Sequence, residues 1–170
     1  VLRDGFCYTL HFEKGENVGG LTKIPTKKKQ TGTKTKWKPD LEVFTEISVP
    51  DEYFHDVLKR QAVVNPNIIF IFRSQDEIGN FNETKFIYEN GITDYVKEIA
   101  NSNNFTSIQH WQCEKKGRDR ADKSDYKVKL NVAFTLSNKI KCIEYYHNSS
   151  YLEHGGSPDS ATKTAFTYAI

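Results

Sequence analysis

This 170-residue chain holds residue types that can do chemistry, but their spacing excludes most of it. The five histidines, His11, His55, His110, His147 and His154, include no His-x-x-x-His pair that would set two imidazoles on one metal. Cys7, Cys113 and Cys142 are odd in number, far apart and without a Cys-x-x-Cys. Cys7 and Cys142 fall in segments patterned as strands, so buried reduced thiols in a cytosolic setting are expected there. The Asn-x-Ser/Thr triplets at Asn82, Asn104 and Asn148 would permit a secreted glycoprotein, but such triplets are frequent by chance in an Asn-rich chain. Acids scattered around residue 120 form no general acid–base pair, and Gly19-Gly20 lacks the pattern of a phosphate-cradling loop. Charge is the exception. Lys23, Lys27, Lys28, Lys29, Lys34, Lys36 and Lys38 stand in a stretch with no acid between Glu16 and Asp40. Without those seven, 17 basic residues face 22 acidic ones, so the chain shows one local basic patch and is no general nucleic-acid coat. Such a run is ordinarily a solvated loop; contact with DNA phosphates is its functional alternative.

The elements that must position these residues follow from periodicity. Phe6, Tyr8, Leu10 and Phe12 alternate with polar neighbours, the period of a half-buried strand. A further strand is expected to leave Gly32 and stop at Pro39, because proline cannot donate to a ladder, and a boundary between structural units is expected there. Pro50 with Asp51 and Glu52 opens a helix carrying Phe54, Val57, Leu58 and Ala62, and Asn65-Pro66-Asn67 closes it. Residues 68–72 read as a strand buried on both faces, 74–84 as turn, and 85–88 as a short strand. Ile92, Tyr95, Val96 and Ile99 mark a second helix. Residues 107–113 are expected as a strand and 115–125 as a charged loop. Val128, Leu130, Val132, Phe134 and Leu136 alternate cleanly, with Ser137-Asn138 as a hairpin turn to a partner at 140–146. A third helix follows Gly155-Gly156-Ser157-Pro158. The expectation is an α+β fold, with helices packed on one face of a mostly antiparallel sheet over 41–170 and a few further strands over 1–40. Opening at Val1 with no Met, and ending at Ile170 in a helical pattern, the sequence reads as a piece of a longer protein. No run approaches the ~20 apolar residues of a membrane span.

Five segments, in order, carry a family resemblance. Thr31-Gly32-Thr33-Lys34-Thr35-Lys36-Trp37-Lys38-Pro39-Asp40 with Leu41-Glu42-Val43-Phe44 is similar to the final ATPase-domain strand of the DNA gyrase B and topoisomerase IV B subunits. Leu2-Arg3-Asp4-Gly5 resembles that family's Arg-Glu-Gly hairpin strand. Asn65-Pro66-Asn67-Ile68-Ile69-Phe70 resembles its Leu-Asn-x-Gly-Val-x-Ile segment, and residues 86–96, Phe-Ile-Tyr-Glu-Asn-Gly-Ile-Thr-Asp-Tyr-Val, its Phe-x-Tyr-Glu-Gly-Gly-Ile-x-x-Phe-Val. His147-Asn148 through Gly155-Gly156 resembles its Asn-Asn-Ile-x-Thr-Arg-Glu-Gly-Gly-Thr-His signature.

The resemblance implies part of an ATP-driven type II topoisomerase. Residues 1–40 would be the last strands of the ATP-binding domain and 41–170 a transducer of the ribosomal-protein-like βαβ kind, relaying nucleotide state to the DNA-cleaving core. Arg3 and Thr33 match family positions at the edge of the nucleotide pocket. ATP and magnesium belong to the parent and are not expected on this piece, because the family's metal-holding Asn and Glu helix and glycine-rich lid lie upstream of the matched region. The lysine that reaches the γ-phosphate, in a Gln-Thr-Lys loop, lies downstream; Gln30-Thr31-Gly32-Thr33-Lys34 is a decoy for it. Implied partners are DNA, the DNA-cleaving A subunit and a second B subunit on ATP binding, with no membrane. Glu153-His154 stands where the family carries Arg-Glu or Arg-Asp, and an acid there repels phosphate. Two alternatives are a stand-alone nucleic-acid-binding α+β module, and another ATPase of the same superfamily such as a mismatch-repair or chaperone protein. The 86–96 and Gly155-Gly156 segments argue against the second.

Overall fold

The computed structural model describes residues 1–118 and 120–169, and contacts divide them into Val1–Val49 and Pro50–Ile170. In the first unit, β1 (Leu2–Arg3), β2 (Phe6–Thr9) and β5 (Thr22–Pro25) make a three-stranded antiparallel sheet. Two short strands, β3 (Phe12–Glu13) and β4 (Glu16–Asn17), pair as a separate hairpin. The strand expected from Thr33 to Lys38 does not form. Only Gly32 pairs, in an isolated antiparallel bridge to Leu2. Alternating Thr and Lys offer no apolar face to bury, and Trp37 stands 73% exposed.

In the second unit, α1 (Asp51–Val64) opens after Pro50 with Asp51 and Glu52 in its first turn. Asn65 closes it, donating both its backbone N–H and its side-chain Nδ2 to the Gln61 carbonyl. The helix lies on a hairpin of β6 (Phe70–Gln75) and β7 (Phe81–Phe86). Phe54 stacks on Phe72 at 5.5 Å, and His55 meets the rings of Phe72 and Phe86 edge-on. Residues 68–72 are therefore not buried on both faces. Phe70, Phe72 and Ser74 turn inward while Ile71 and Arg73 face solvent, because α1 covers one side only. The turn shrinks to residues 76–80, where the Asp76 carboxylate accepts from the backbone N–H groups of Ile78 and Asn80.

The second helix, α2 (Ile92–Ala100), is followed by β8 (Gln109–Gly117) and β9 (Tyr126–Phe134), paired over nine residues. The expected partner of β9 at 140–146 is thus replaced by β8, and Lys115–Gly117 are strand rather than loop. Segment 107–117 carries Trp111 and Cys113 opposite Val132 and Leu130, and it outcompetes 140–145, where Lys141 and Glu144 interrupt the apolar pattern. Cys142 accordingly lies outside any strand and is exposed, while Cys7 in β2 is half-buried. A minimal hairpin of β10 (Tyr146–His147) and β11 (Ser150–Tyr151) leads into α3 (Gly156–Ala169). The class is α+β with antiparallel strands throughout, distributed over several small ladders. Among the described residues Ala62, Val63, Tyr88 and Ala100 are the buried apolar ones, so the core sits where α1, α2 and the chain between β7 and α2 meet.

Candidate functional site

Three of the segments singled out in the sequence converge at that core. The chain leaving α1 is held when Asn67 N–H donates to the Tyr88 carbonyl. Gly91, buried, lies against the Pro66 ring and the Val63 carbonyl, so residues 63–67 and 88–91 pack closely.

Two carboxylates then tie neighbouring elements together, each accepting on both of its oxygens. Glu98 of α2 accepts from Lys59 of α1 at 2.6 Å and from the Tyr88 hydroxyl at 2.7 Å. Glu144 accepts from the Tyr95 hydroxyl of α2 at 3.1 Å and from the Tyr146 hydroxyl of β10 at 2.6 Å. Consecutive residues of α1 complete the joint. The Arg60 guanidinium lies 4.0 Å over the Tyr151 ring, and Gln61 Nε2 donates to the Ser149 carbonyl at 2.7 Å. Tyr146 and Tyr151 meet edge-on at 5.7 Å, as do Tyr88 and Tyr95 at 5.8 Å.

Burial raises the Glu98 carboxyl, but hydrogen bonds from Lys59 and Tyr88, with the Lys59 charge, outweigh it and hold the group below the usual glutamate range. The phenols of Tyr88, Tyr95 and Tyr146 are pushed well above their ordinary value, first by burial and then by the carboxylates they donate to. A phenol raised in the fold stabilises it fully below the unfolded value of about 10, and that contribution is lost as pH climbs toward the raised values. Alkaline titration should therefore show the phenols of Tyr88, Tyr95 and Tyr146 ionising only as helical circular dichroism collapses. Ionisation of all nine tyrosines near pH 10 in a chain that keeps its helices would contradict the network.

The hairpin passes this joint on to α3. Leu152 N–H donates to the Tyr145 carbonyl, and Gly155 turns at φ +71° so that Asp159 and Tyr145 close over it. Lys163 Nζ donates to Asp159 at 2.7 Å, and this hydrogen bond holds the Asp159 carboxyl below its usual range. Phe166 meets Phe134 of β9 edge-on at 5.6 Å.

Arg3 and Thr33, far apart in sequence, follow the two residues of the Leu2–Gly32 bridge, whose N–H groups donate to each other's carbonyls at 2.8 and 3.1 Å. Antiparallel geometry assigns the residues flanking such a bridge to one face. Both are exposed, and Arg3 reaches only its neighbour Asp4, at 3.7 Å. One guanidinium and one hydroxyl do not make a phosphate cradle. Among the described residues, no three His, Cys, Asp or Glu side chains gather where a metal ion could sit. The shallow depressions on the second unit, about 760 and 270 Å³, are both open and both bordered by Glu98.

Glu98 and Glu144 escaped the sequence reading, as did Lys59 and Arg60. The local signal was the crowding of Tyr88, Tyr95, Tyr145, Tyr146 and Tyr151.

The chain has curated relatives. The chain is 36% identical over 102 residues, 59% of its length, to the B subunit of DNA topoisomerase 4 from Escherichia coli K12. It is 31% identical over its whole length to the B subunit of the type 2 topoisomerase from Aquifex aeolicus, and 28% identical, again over its whole length, to the B subunit of DNA gyrase from Bacillus mycoides. This chain is homologous to part of the gyrase B and topoisomerase IV B subunits. It spans 16%, 20% and 40% of those three proteins respectively, less than two thirds of any. No family model matches. Within this gyrase B-like chain, Glu153 and His154 are exposed at the entrance to α3, beside a buried Gly155. No helix among the described residues is long and apolar enough to cross a membrane.

Proposed function

We propose that residues 41–170 are the transducer of the B subunit of an ATP-dependent type II topoisomerase, and residues 1–40 the last strands of its ATP-binding domain. The parent binds ATP with magnesium, dimerises with a second B subunit, works with a DNA-cleaving A subunit and passes DNA in the cytoplasm. This piece performs no chemistry alone, and Arg3 and Thr33 serve the rim of the parent's nucleotide pocket. The observation that carries the reading is the meeting of three family-like segments, 65–70, 86–96 and 147–156, at one joint clamped through Glu98 and Glu144. A joint between two helices and a hairpin that feeds a third helix suits a two-state relay, since a change at one arm must be answered at the others.

The test separates turnover from coupling. In the complete B subunit assembled with its A subunit, Glu144→Gln keeps the size of the side chain and removes the charge the two tyrosines donate to. ATP turnover should stay within about twofold while strand passage falls tenfold or more, about 1.4 kcal/mol of lost coupling. Parallel loss of both activities, or no loss of either, contradicts the relay. So does ATP turnover by the purified 170-residue chain.

A further inference from the structure

We propose that residues 27–38 form a binding site for the phosphate backbone of duplex DNA, read without regard to sequence. The first unit holds nine Lys and Arg against six acids, and the second fifteen against sixteen, so the positive charge resides in the first. Within it the positive charge is concentrated and uncompensated. Lys27, Lys28, Lys29, Lys34, Lys36 and Lys38 are all exposed, and among the described residues none of them forms an ion pair. Acids of the same unit are engaged elsewhere: Glu42 takes Lys14 at 2.8 Å, and Asp4 takes Arg3.

The ammonium groups are therefore free to exchange counterions for phosphates, the exchange that drives sequence-independent DNA binding. Geometry supports a linear polyanion. The segment belongs to no ladder beyond the bridge at Gly32, so its backbone can follow an external surface. In extended chain Lys34, Lys36 and Lys38 reach steps of at most about 7 Å on one side. Trp37, between two of them and 73% exposed, presents an uncovered ring beside the charges. Other lysines show what a neutralised cation looks like here. Lys127 and Lys129 of β9 both lie on Glu114, at 2.9 and 3.8 Å.

The assignment is independent of the relay role, and its test uses the 170-residue chain alone. A fluorescein-labelled 20-base-pair duplex is titrated by anisotropy between about 50 and 200 mM salt. With about four phosphates neutralised, affinity should fall about 150-fold across that range. Replacing the six lysines with glutamine (Lys27→Gln, Lys28→Gln, Lys29→Gln, Lys34→Gln, Lys36→Gln, Lys38→Gln) should remove that salt-dependent binding while helical circular dichroism stays unchanged, since none of the six lies in a helix or strand. Lys127→Gln with Lys129→Gln should leave it intact. Absence of binding at 50 mM salt, a six-lysine variant within twofold of the parent chain, or equal loss in the β9 variant overturns the assignment. Competition by poly-L-glutamate as effective as by unlabelled DNA transfers the patch to an acidic protein partner and overturns it as well.

Discussion

Gly91→Ala should cost the second unit about 4 kcal/mol. Gly91 holds φ +56° and ψ −126°, a combination that strains any residue with a side chain by about 1–3 kcal/mol. Its surroundings add to this. A methyl group there would meet the Pro66 ring at 3.0 Å and the Val63 carbonyl oxygen at 3.1 Å. Neither can step aside. Pro66 is fixed by its own ring and Val63 belongs to the last turn of α1, so the added atom forces α1 and the 88–91 segment apart, an overpacking cost of about 1–3 kcal/mol. Because the buried apolar set is small, the separation acts on the core itself. Urea unfolding followed by circular dichroism should show the midpoint falling with little change in slope. A loss below about 1 kcal/mol would mean that the close packing of these two segments is not what holds the unit together.

The second large effect is local. Gly155→Ala places a methyl group 2.6 Å from the Asp159 Cβ and 3.3 Å from a Tyr145 ring carbon, on a backbone at φ +71°. A left-handed residue with a side chain costs about 1–2 kcal/mol, and overpacking adds about as much, about 3 kcal/mol together. The first atom struck is fixed to a helix backbone, so relief comes only by moving the start of α3. Hydrogen exchange should quicken across α3 while amides of α1 and the β6–β7 hairpin keep their protection. Uniform acceleration through the second unit, or none, would refute the idea that Gly155 anchors α3 alone.

Much of the fold could be read from sequence where one short-range pattern decides the outcome. Pro50 followed by two acids, and Asn65-Pro66 fifteen residues on, bracket α1 as expected. The spacing of Ile92, Tyr95, Val96 and Ile99 gives α2. Pairing was harder. Nothing local to β9 says whether its ladder goes to β8 or to 140–146, because that choice depends on which segment brings the better apolar face across a turn. The Thr-Lys alternation before Pro39 shows the opposite failure, a strand period without anything to bury. Gly91 and Gly155 were visible as punctuation. Their partners, Pro66 and Asp159, were not assigned to them, since one lies across the core and the other one helical turn ahead. The carboxylate clamps were the least legible, because a glutamate that receives two tyrosine hydroxyls looks in sequence like any surface glutamate.

The weak burial of α3 has a consequence of its own. Fourteen residues long and with no buried residue, it is gripped at its base by Gly155, Tyr145 and Asp159 and touched farther out by a single aromatic pair, Phe134 with Phe166. Over its described length of about 20 Å, a sideways load on α3 reaches the joint through that base, as a torque proportional to its distance from Gly155.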